Sequence, residues 1–149
     1  MKLSEGQVLT MARLARERGE RLDLRRCDLS GLGLFKADLS GADLRGADLT
    51  EANLAMADLT GVDLSGATLF QTELLRARLV EADLSEANLV QATLRQADLK
   101  GADLQNAKLQ GADLTHANLT GANLRGAQYD RYTRWSISFD PEAAGALRG

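Results

Sequence analysis

Leucine occupies every fifth position from Leu24 to Leu124, 21 times in succession without an exception. A period of five satisfies neither the 3.6-residue repeat of a helix nor the two-residue repeat of a strand. On a helix these leucines would spread around the whole circumference, and on a strand they would alternate between faces. The remaining solution is a coil that turns a corner once per repeat and points each Leu at a common axis. Two residues before each Leu, 16 of the 21 positions are Ala; the exceptions are Leu22, Cys27, Leu32, Val62 and Thr72. One residue before each Leu, 15 of the 21 are Asp or Asn. Asp, Asn, Gly, Ser and Thr around the Leu accept turn geometry and local side-chain hydrogen bonds. The chain therefore reads as a solenoid, in which each coil buries its apolar residues only against its neighbours.

Composition narrows what such a tube can be. Apolar residues make up 44% of the chain but aromatics only 4%, so the core must be aliphatic and small. Ala at the position before the wall lets the sides of a narrow tube approach. Cys27 stands at one of these Ala positions and reads as a small buried hydrophobe rather than a reactive thiol. Thr72 stands at another and needs a buried hydrogen-bond partner. No apolar run approaches the ~18 residues of a membrane span. The N-terminus, MKLSEGQVLTMARLARERGERL, lacks the apolar core of a secretory signal, which points to a cytoplasmic protein. Residues 23–124 carry 15 acidic and 9 basic side chains, a net charge of −6. That balance disfavours direct nucleic-acid binding through a basic stripe.

The refrain A-(D/N)-L-x-x, written out as ADLSGADLRGADLTEANL at residues 37–54, resembles that of the pentapeptide-repeat proteins. The resemblance runs from residue 22 to about residue 131. It implies an all-β solenoid, the right-handed quadrilateral β-helix, with four pentapeptides per coil. About five coils stacked at the strand spacing of ~4.8 Å give a rod of roughly 24 Å before its ends. Three segments are expected: a capping helix at 1–21, the repeat β-helix at 22–131 and a C-terminal cap at 132–149. In the first, Ser4 and Gln7 form a capping box, Val8, Met11, Ala12 and Ala15 share a face, and Gly19 ends the helix. In the last, Tyr129 takes the place of the next Leu, Trp135 and Phe139 plug the end, and Asp140-Pro141 starts a short helix. The tail YDRYTRWSISFDPEAAGA resembles the cap of many cyanobacterial members.

No constellation for catalysis is present. His116, the one histidine, has neither a nucleophile nor an orienting acid in a related motif, and no metal-binding, phosphate-binding or dinucleotide motif occurs. No catalytic residue, cofactor or metal is expected, and a filled tube has no dry concave pocket in which to do chemistry. With four repeats per coil, residues 20 apart become vertical neighbours, and two surface features follow. One is an acidic column, Asp23, Asp43, Asp63, Asp83 and Asp103, ending in Asn123. Asp either suits the local turn there, with Arg25, Arg45 and Arg125 compensating, or forms a functional acidic face. The other is a run of apolar outward positions. Phe35, Ala55 and Leu75 stack with Met56 beside them, and Phe70 stacks with Val90 on the preceding side.

The resemblance, together with the missing catalytic motifs and the filled tube, points to a non-enzymatic structural or protein-interaction scaffold with an unidentified protein partner, no membrane, and room for a homodimer. It also implies an alternative, because some members mimic B-DNA and bind DNA gyrase. B-DNA presents about 14 phosphate charges over ~24 Å. The net −6 of the repeats is less than half of that.

Overall fold

Each corner of the coil is made by a residue in the left-handed region. In the computed structural model, which describes residues 1–149, all 21 residues standing two after a repeat Leu have positive φ. Nine of them are Gly and twelve are not, among them Arg26 at 57°, Glu51 at 57° and His116 at 61°. A positive φ at the third residue of a four-residue turn is the signature of type II. The closing bond is present: the Ala42 N–H donates to Leu39 O at 3.1 Å, and the same bond recurs along the chain. Holding a side chain in this region costs about 1 kcal/mol per residue. Here the same residue's N–H is aimed at the next coil, as in Gly41 to Thr60 O at 2.8 Å and Glu51 to Phe70 O at 2.9 Å.

Four ladders of parallel bridges, each step 20 residues long, form the walls. The first face runs Asp23, Asp43, Asp63, Asp83, Asp103, Asn123. The second runs Asp28, Asp48, Thr68, Asn88, Lys108, Gln128, the third Gly33, Asn53, Glu73, Thr93, Asp113, and the fourth Asp38, Asp58, Arg78, Asp98, Asn118. Every step uses the same bonds: the Leu24 N–H donates up to Asp43 O and the Asp43 N–H donates down to Leu22 O, both at 2.8 Å. The walls are single-residue bridges between corners rather than extended strands. The repeat leucines lie inside, Leu24 through Leu114 each no more than 1% exposed. The positions two before them join the same core, Cys27 at 7% included. Thr72 is fully buried and its Oγ1 donates to Leu49 O at 2.7 Å, which supplies the partner its position demands.

Helix α1 spans Glu5–Arg18. Its capping box is complete: the Gln7 N–H donates to Ser4 Oγ, and the Ser4 N–H donates to Gln7 Oε1. Gly19, at φ 65°, turns the chain out, and the N–H groups of Gly19 and Glu20 both reach Ala15 O. Val8 and Ala12 are buried in the core, with Met11 and Ala15 packed against it. Ahead of the helix, Lys2 bridges Asp28 and adds a strand position beneath the second face.

At the other end Tyr129 occupies the next Leu place and is 6% exposed. Trp135 meets it edge-on at 5.5 Å, and Phe139 stacks on Trp135 at 5.2 Å. The third ladder continues to Arg134, one residue late, because Asp113 and Arg134 are 21 apart. The short helix expected from Pro141 does not form. Asp140 does cap the segment, accepting from the Ala143 N–H, but only a turn follows before Gly145 at φ 90°. The chain must return at once, because β2 (Leu147–Arg148) pairs in parallel with β1 (Gln128–Tyr129) over the second face.

Two substitutions separate packing from polarity in this core. Leu69→Ala, at a position with no exposure, should lower unfolding free energy by about 2–5 kcal/mol in chemical denaturation. Thr72→Val removes a buried hydroxyl whose acceptor, Leu49 O, keeps the Ala52 N–H at 2.9 Å. It should therefore shift stability by less than about 1 kcal/mol in either direction.

Candidate functional site

The acidic side chains of the wall are first of all turn-makers. All 15 Asp and Asn residues one before a repeat Leu accept, through Oδ1, the N–H of the residue two further on. This is the Asx-turn bond, which reaches the backbone without leaving the repeat. All eight Ser and Thr residues at the position after Leu donate their hydroxyl to that same oxygen, as Ser65 does to Asp63 at 2.8 Å. One side-chain oxygen, a carboxylate at seven of these corners and the Asn118 amide at the eighth, is thus spent on the fold.

The column Asp23, Asp43, Asp63, Asp83, Asp103 does stand on one face, and arginines meet its lower half. Arg25 grips Asp23 through Nε and Nη2 at 2.9 and 2.7 Å, and Arg45 grips Asp43 in the same way at 2.8 and 2.6 Å. Arg21, from the link after α1, reaches Asp43 at 3.6 Å and Asp63 at 3.9 Å, while its Nε donates to Gly41 O. Arg45 also approaches Asp63 at 3.6 Å. Asp43 is 5% exposed, so its charge is held within this arginine cluster. The Arg25 guanidinium holds Asp23 well below the usual carboxylate range, and Arg45 lowers Asp43 likewise. Further up, Asp83 and Asp103 take bonds from Ser85 and Gln105 alone. Periodicity shows the column and its neighbours Arg25 and Arg45, but Arg21 lies outside the repeat and its reach across two coils has no sequence signal.

The apolar positions fall on two neighbouring edges. On one, Phe35 is 53% exposed and Leu75 37%, with Met56 beside them at 42%. Ala55 is only 7% exposed although its position faces outward, because its vertical neighbours are the larger Phe35 and Leu75. Bonds from the Lys36 N–H to Ala55 O and from the Met56 N–H to Leu75 O fix that stack. Phe70 and Val90 are half-buried on the preceding edge, held in step by the Gln71 N–H on Val90 O. Sequence reasoning did not single out the C-terminal end, where Ile137 is 87% exposed, Tyr132 63% and Leu147 59%. That tail has no period from which to read which way a side chain points.

No three His, Cys, Asp or Glu side chains converge as a metal-ligand set. The concavities are open surface depressions, such as one of about 500 Å³ lined by Asp23, Arg25, Arg26 and Arg45. His116 is exposed at a corner.

This geometry and the sequence agree on the family. The profile of pentapeptide repeats matches, in eight copies, residues 34–66, 63–101 and 97–128. The chain belongs to the pentapeptide-repeat family, whose members form right-handed quadrilateral β-helices. Among solved structures it is similar to HetL, a pentapeptide-repeat protein involved in heterocyst differentiation regulation from the cyanobacterium Nostoc sp. strain PCC 7120. The two are 29% identical over 87% of this chain and 78% of that one, with a TM-score of 0.53. It is also similar to alr5209 from Nostoc PCC 7120, 33% identical over 100% and 98% of the two chains, with a TM-score of 0.42. A trypsin-treated form of QnrB1, a plasmid-mediated fluoroquinolone resistance protein, is 19% identical over 88% and 83%, with a TM-score of 0.38. No protein of curated function matches the sequence.

The turn carboxylates make stability depend on acid. The Ser30 hydroxyl and amide, with the Lys2 ammonium, hold Asp28 down to about 2, and the Ser40 hydroxyl lowers Asp38. Each carboxyl ionises more readily in the folded chain than in the unfolded one, whose value is about 3.9. Its contribution is therefore whole above that value and disappears as pH falls through the folded one. Melting temperatures should be flat above about pH 5 and fall between ~4 and ~2. Asp28→Asn, which keeps a turn acceptor, should make the fall shallower; melting that is level down to pH 2 contradicts this.

Proposed function

We infer that this protein is a non-enzymatic protein-interaction scaffold: a rod of about five coils (residues 22–131), closed by α1 within residues 1–21 and by the aromatic segment within 132–149. The 20-residue bridge ladders support the coil count, and the burial of Val8, Ala12 and Tyr129 supports the capping role of the two ends. The observation that carries the functional reading is the edge formed by Phe35, Ala55, Leu75 and Met56. The Leu, Ala and Asp/Asn positions of each repeat are committed to core and corner. Only the two positions after Leu are free to vary, and on this edge they carry large apolar side chains that the fold does not need exposed. Phe70 and Val90 extend the surface to the next edge. The partner is a protein met in the cytoplasm; the acidic column serves chiefly to make turns, and a homodimer is compatible with the same edge.

Mimicry of DNA is the weaker reading. Arg21, Arg25 and Arg45 cancel charge on Asp23, Asp43 and Asp63, so the column does not present a continuous line of unpaired anions. HetL is involved in differentiation regulation, and a regulatory role exerted through protein contact is the corresponding proposal here.

A paired experiment tests the choice. Phe35→Glu/Leu75→Glu should keep the melting temperature within a few degrees while abolishing capture of a specific partner from native extract. The wild-type protein should leave gyrase supercoiling unchanged at high micromolar concentration. Capture of the same partner by the double variant sinks the edge assignment. Inhibition of supercoiling that is lost in Asp43→Asn/Asp63→Asn/Asp83→Asn restores mimicry.

A further inference from the structure

The fourth face stops one coil short of the others. In its last complete step the Leu99 N–H donates up to Asn118 O at 2.8 Å, and the Gly101 N–H donates up to Thr120 O at 2.9 Å. The corresponding donors one coil higher, the N–H groups of Leu119 and Gly121, have no acceptor in the protein. On the other faces at least one such donor is met: Leu114 by Arg134 O, Gly126 by Gly145 O, and the second face by β2. The segment that would continue the fourth face, residues 136–139, is a turn instead. Its Ser136 Oγ shares its one proton between Ala117 O at 2.8 Å, the acceptor on this edge, and Leu114 O at 3.0 Å. A depression of about 320 Å³ remains at this edge, walled by Leu119, Thr120, Ile137 and Phe139, with Ile137 87% exposed.

We propose that this open edge is a docking site for an extended strand of a partner protein, which adds to the fourth face as the next rung. The edge offers two N–H donors spaced two residues apart, so the occupant must present two backbone carbonyls at that spacing, as any extended strand does. It must also place an apolar side chain over Leu119 and Ile137. In every lower coil this place is taken by an Ala-x-Leu segment, and a strand of that kind fits the site.

A second copy of this chain does not satisfy the edge. Its own C-terminal edge carries the same two donors, and its only carbonyl, Ala117 O, is already covered by Ser136. At the opposite end of the fourth face the matching carbonyls are Asp38 O and Ser40 O; Arg16 Nη2 of α1 takes the first, and α1, packed on the first coil through Val8 and Ala12, stands in the way of head-to-tail stacking. The occupant is therefore a strand of a different protein. This site is separate from the Phe35–Leu75 edge, and either can be lost without the other.

The test uses the full protein, isotope-labelled, and a synthetic peptide with the sequence of residues 112–123 as the strand. In the free protein the Leu119 and Gly121 amides should exchange with solvent at least about tenfold faster than those of Leu99 and Gly101. Saturating peptide should slow those two amides and shift their resonances, and should leave Leu79 and Gly61 unchanged. Ile137→Glu, at a side chain the fold leaves in solvent, should weaken peptide binding about tenfold or more with an unaltered melting temperature. Equal protection of Leu119 and Leu99 in the free protein overturns the proposal, as does peptide at millimolar concentration that leaves both amides untouched. Concentration-dependent protection of these amides without peptide overturns it in favour of a second copy.

Discussion

The left-handed residue at each corner is the constraint on which the rest of the structure depends. A chain that turns every five residues needs a tight turn at that interval, and type II supplies it only with positive φ at one position. Gly satisfies this without strain, yet twelve of the 21 corners carry side chains, from Arg26 to His116. At eleven of the twelve, all but His116 in the last coil, the strain is offset because the same residue donates its N–H to the coil above, so the turn that closes one repeat also bonds it to the next. The Asp or Asn three residues before the corner tightens the approach by accepting the backbone N–H just ahead of it. Burial of the Leu column then follows, since coils fixed 20 residues apart place each Leu above another.

This coupling explains why so much of the interior was legible. Leu24 to Leu124 and the Ala positions before them are a one-dimensional code for the inside of the tube, and even the exceptions conform. Cys27 is buried as a small side chain, and Thr72 finds a carbonyl within reach. The helix ends were readable for a different reason: Ser4, Gln7 and Gly19 act within a few residues of themselves. The C-terminal segment had neither advantage. Asp140 and Pro141 carry real helix-start chemistry, and Asp140 does cap the turn, but β2 must pair with Gln128 and Tyr129, and that non-local demand overrides the local preference. Arg21 was silent for the same cause, since its value lies in bridging Asp43 and Asp63 from outside the period.

The same code restricts where function can sit. Carboxylates that look like a charged face are committed through Oδ1 to the backbone, and the lower ones are further gripped by arginine. Their spacing follows from the corner geometry, so a regular acidic column is what this wall produces whether or not anything binds it. An exposed Phe35, Met56 or Leu75 has no such origin. Nothing in the coil requires a large apolar side chain at a position that the solvent reaches, and nothing in the turn prefers one. The candidate surface and its edges were visible in sequence as departures from polarity at outward positions 20 apart, and the structure adds which of them solvent reaches: Phe35, Met56 and Leu75, but not Ala55.

A solenoid built from identical rungs has one further difficulty, which is how to stop. Each rung offers the next a donor pair and an acceptor on every face, and a strand edge left open invites pairing. At the base, Met1–Leu3 and α1 cover the first coil, with Arg16 on Asp38 O and Lys2 on Ser30 O. At the top the four faces end differently. The second is covered by β2, the third by Arg134 and the first by the turn through Gly145, while the fourth has its acceptor met by Ser136 and its donors left free. A terminus designed only to block growth would cover those donors too, as Arg16 covers the Asp38 carbonyl at the base of the same face. Filling the acceptor while leaving the donors excludes another copy of the same edge and still admits a strand that brings its own carbonyls. Closure against self-assembly thus rests on Ser136 at the top and α1 at the base, and openness to a different chain on the Leu119 and Gly121 N–H groups.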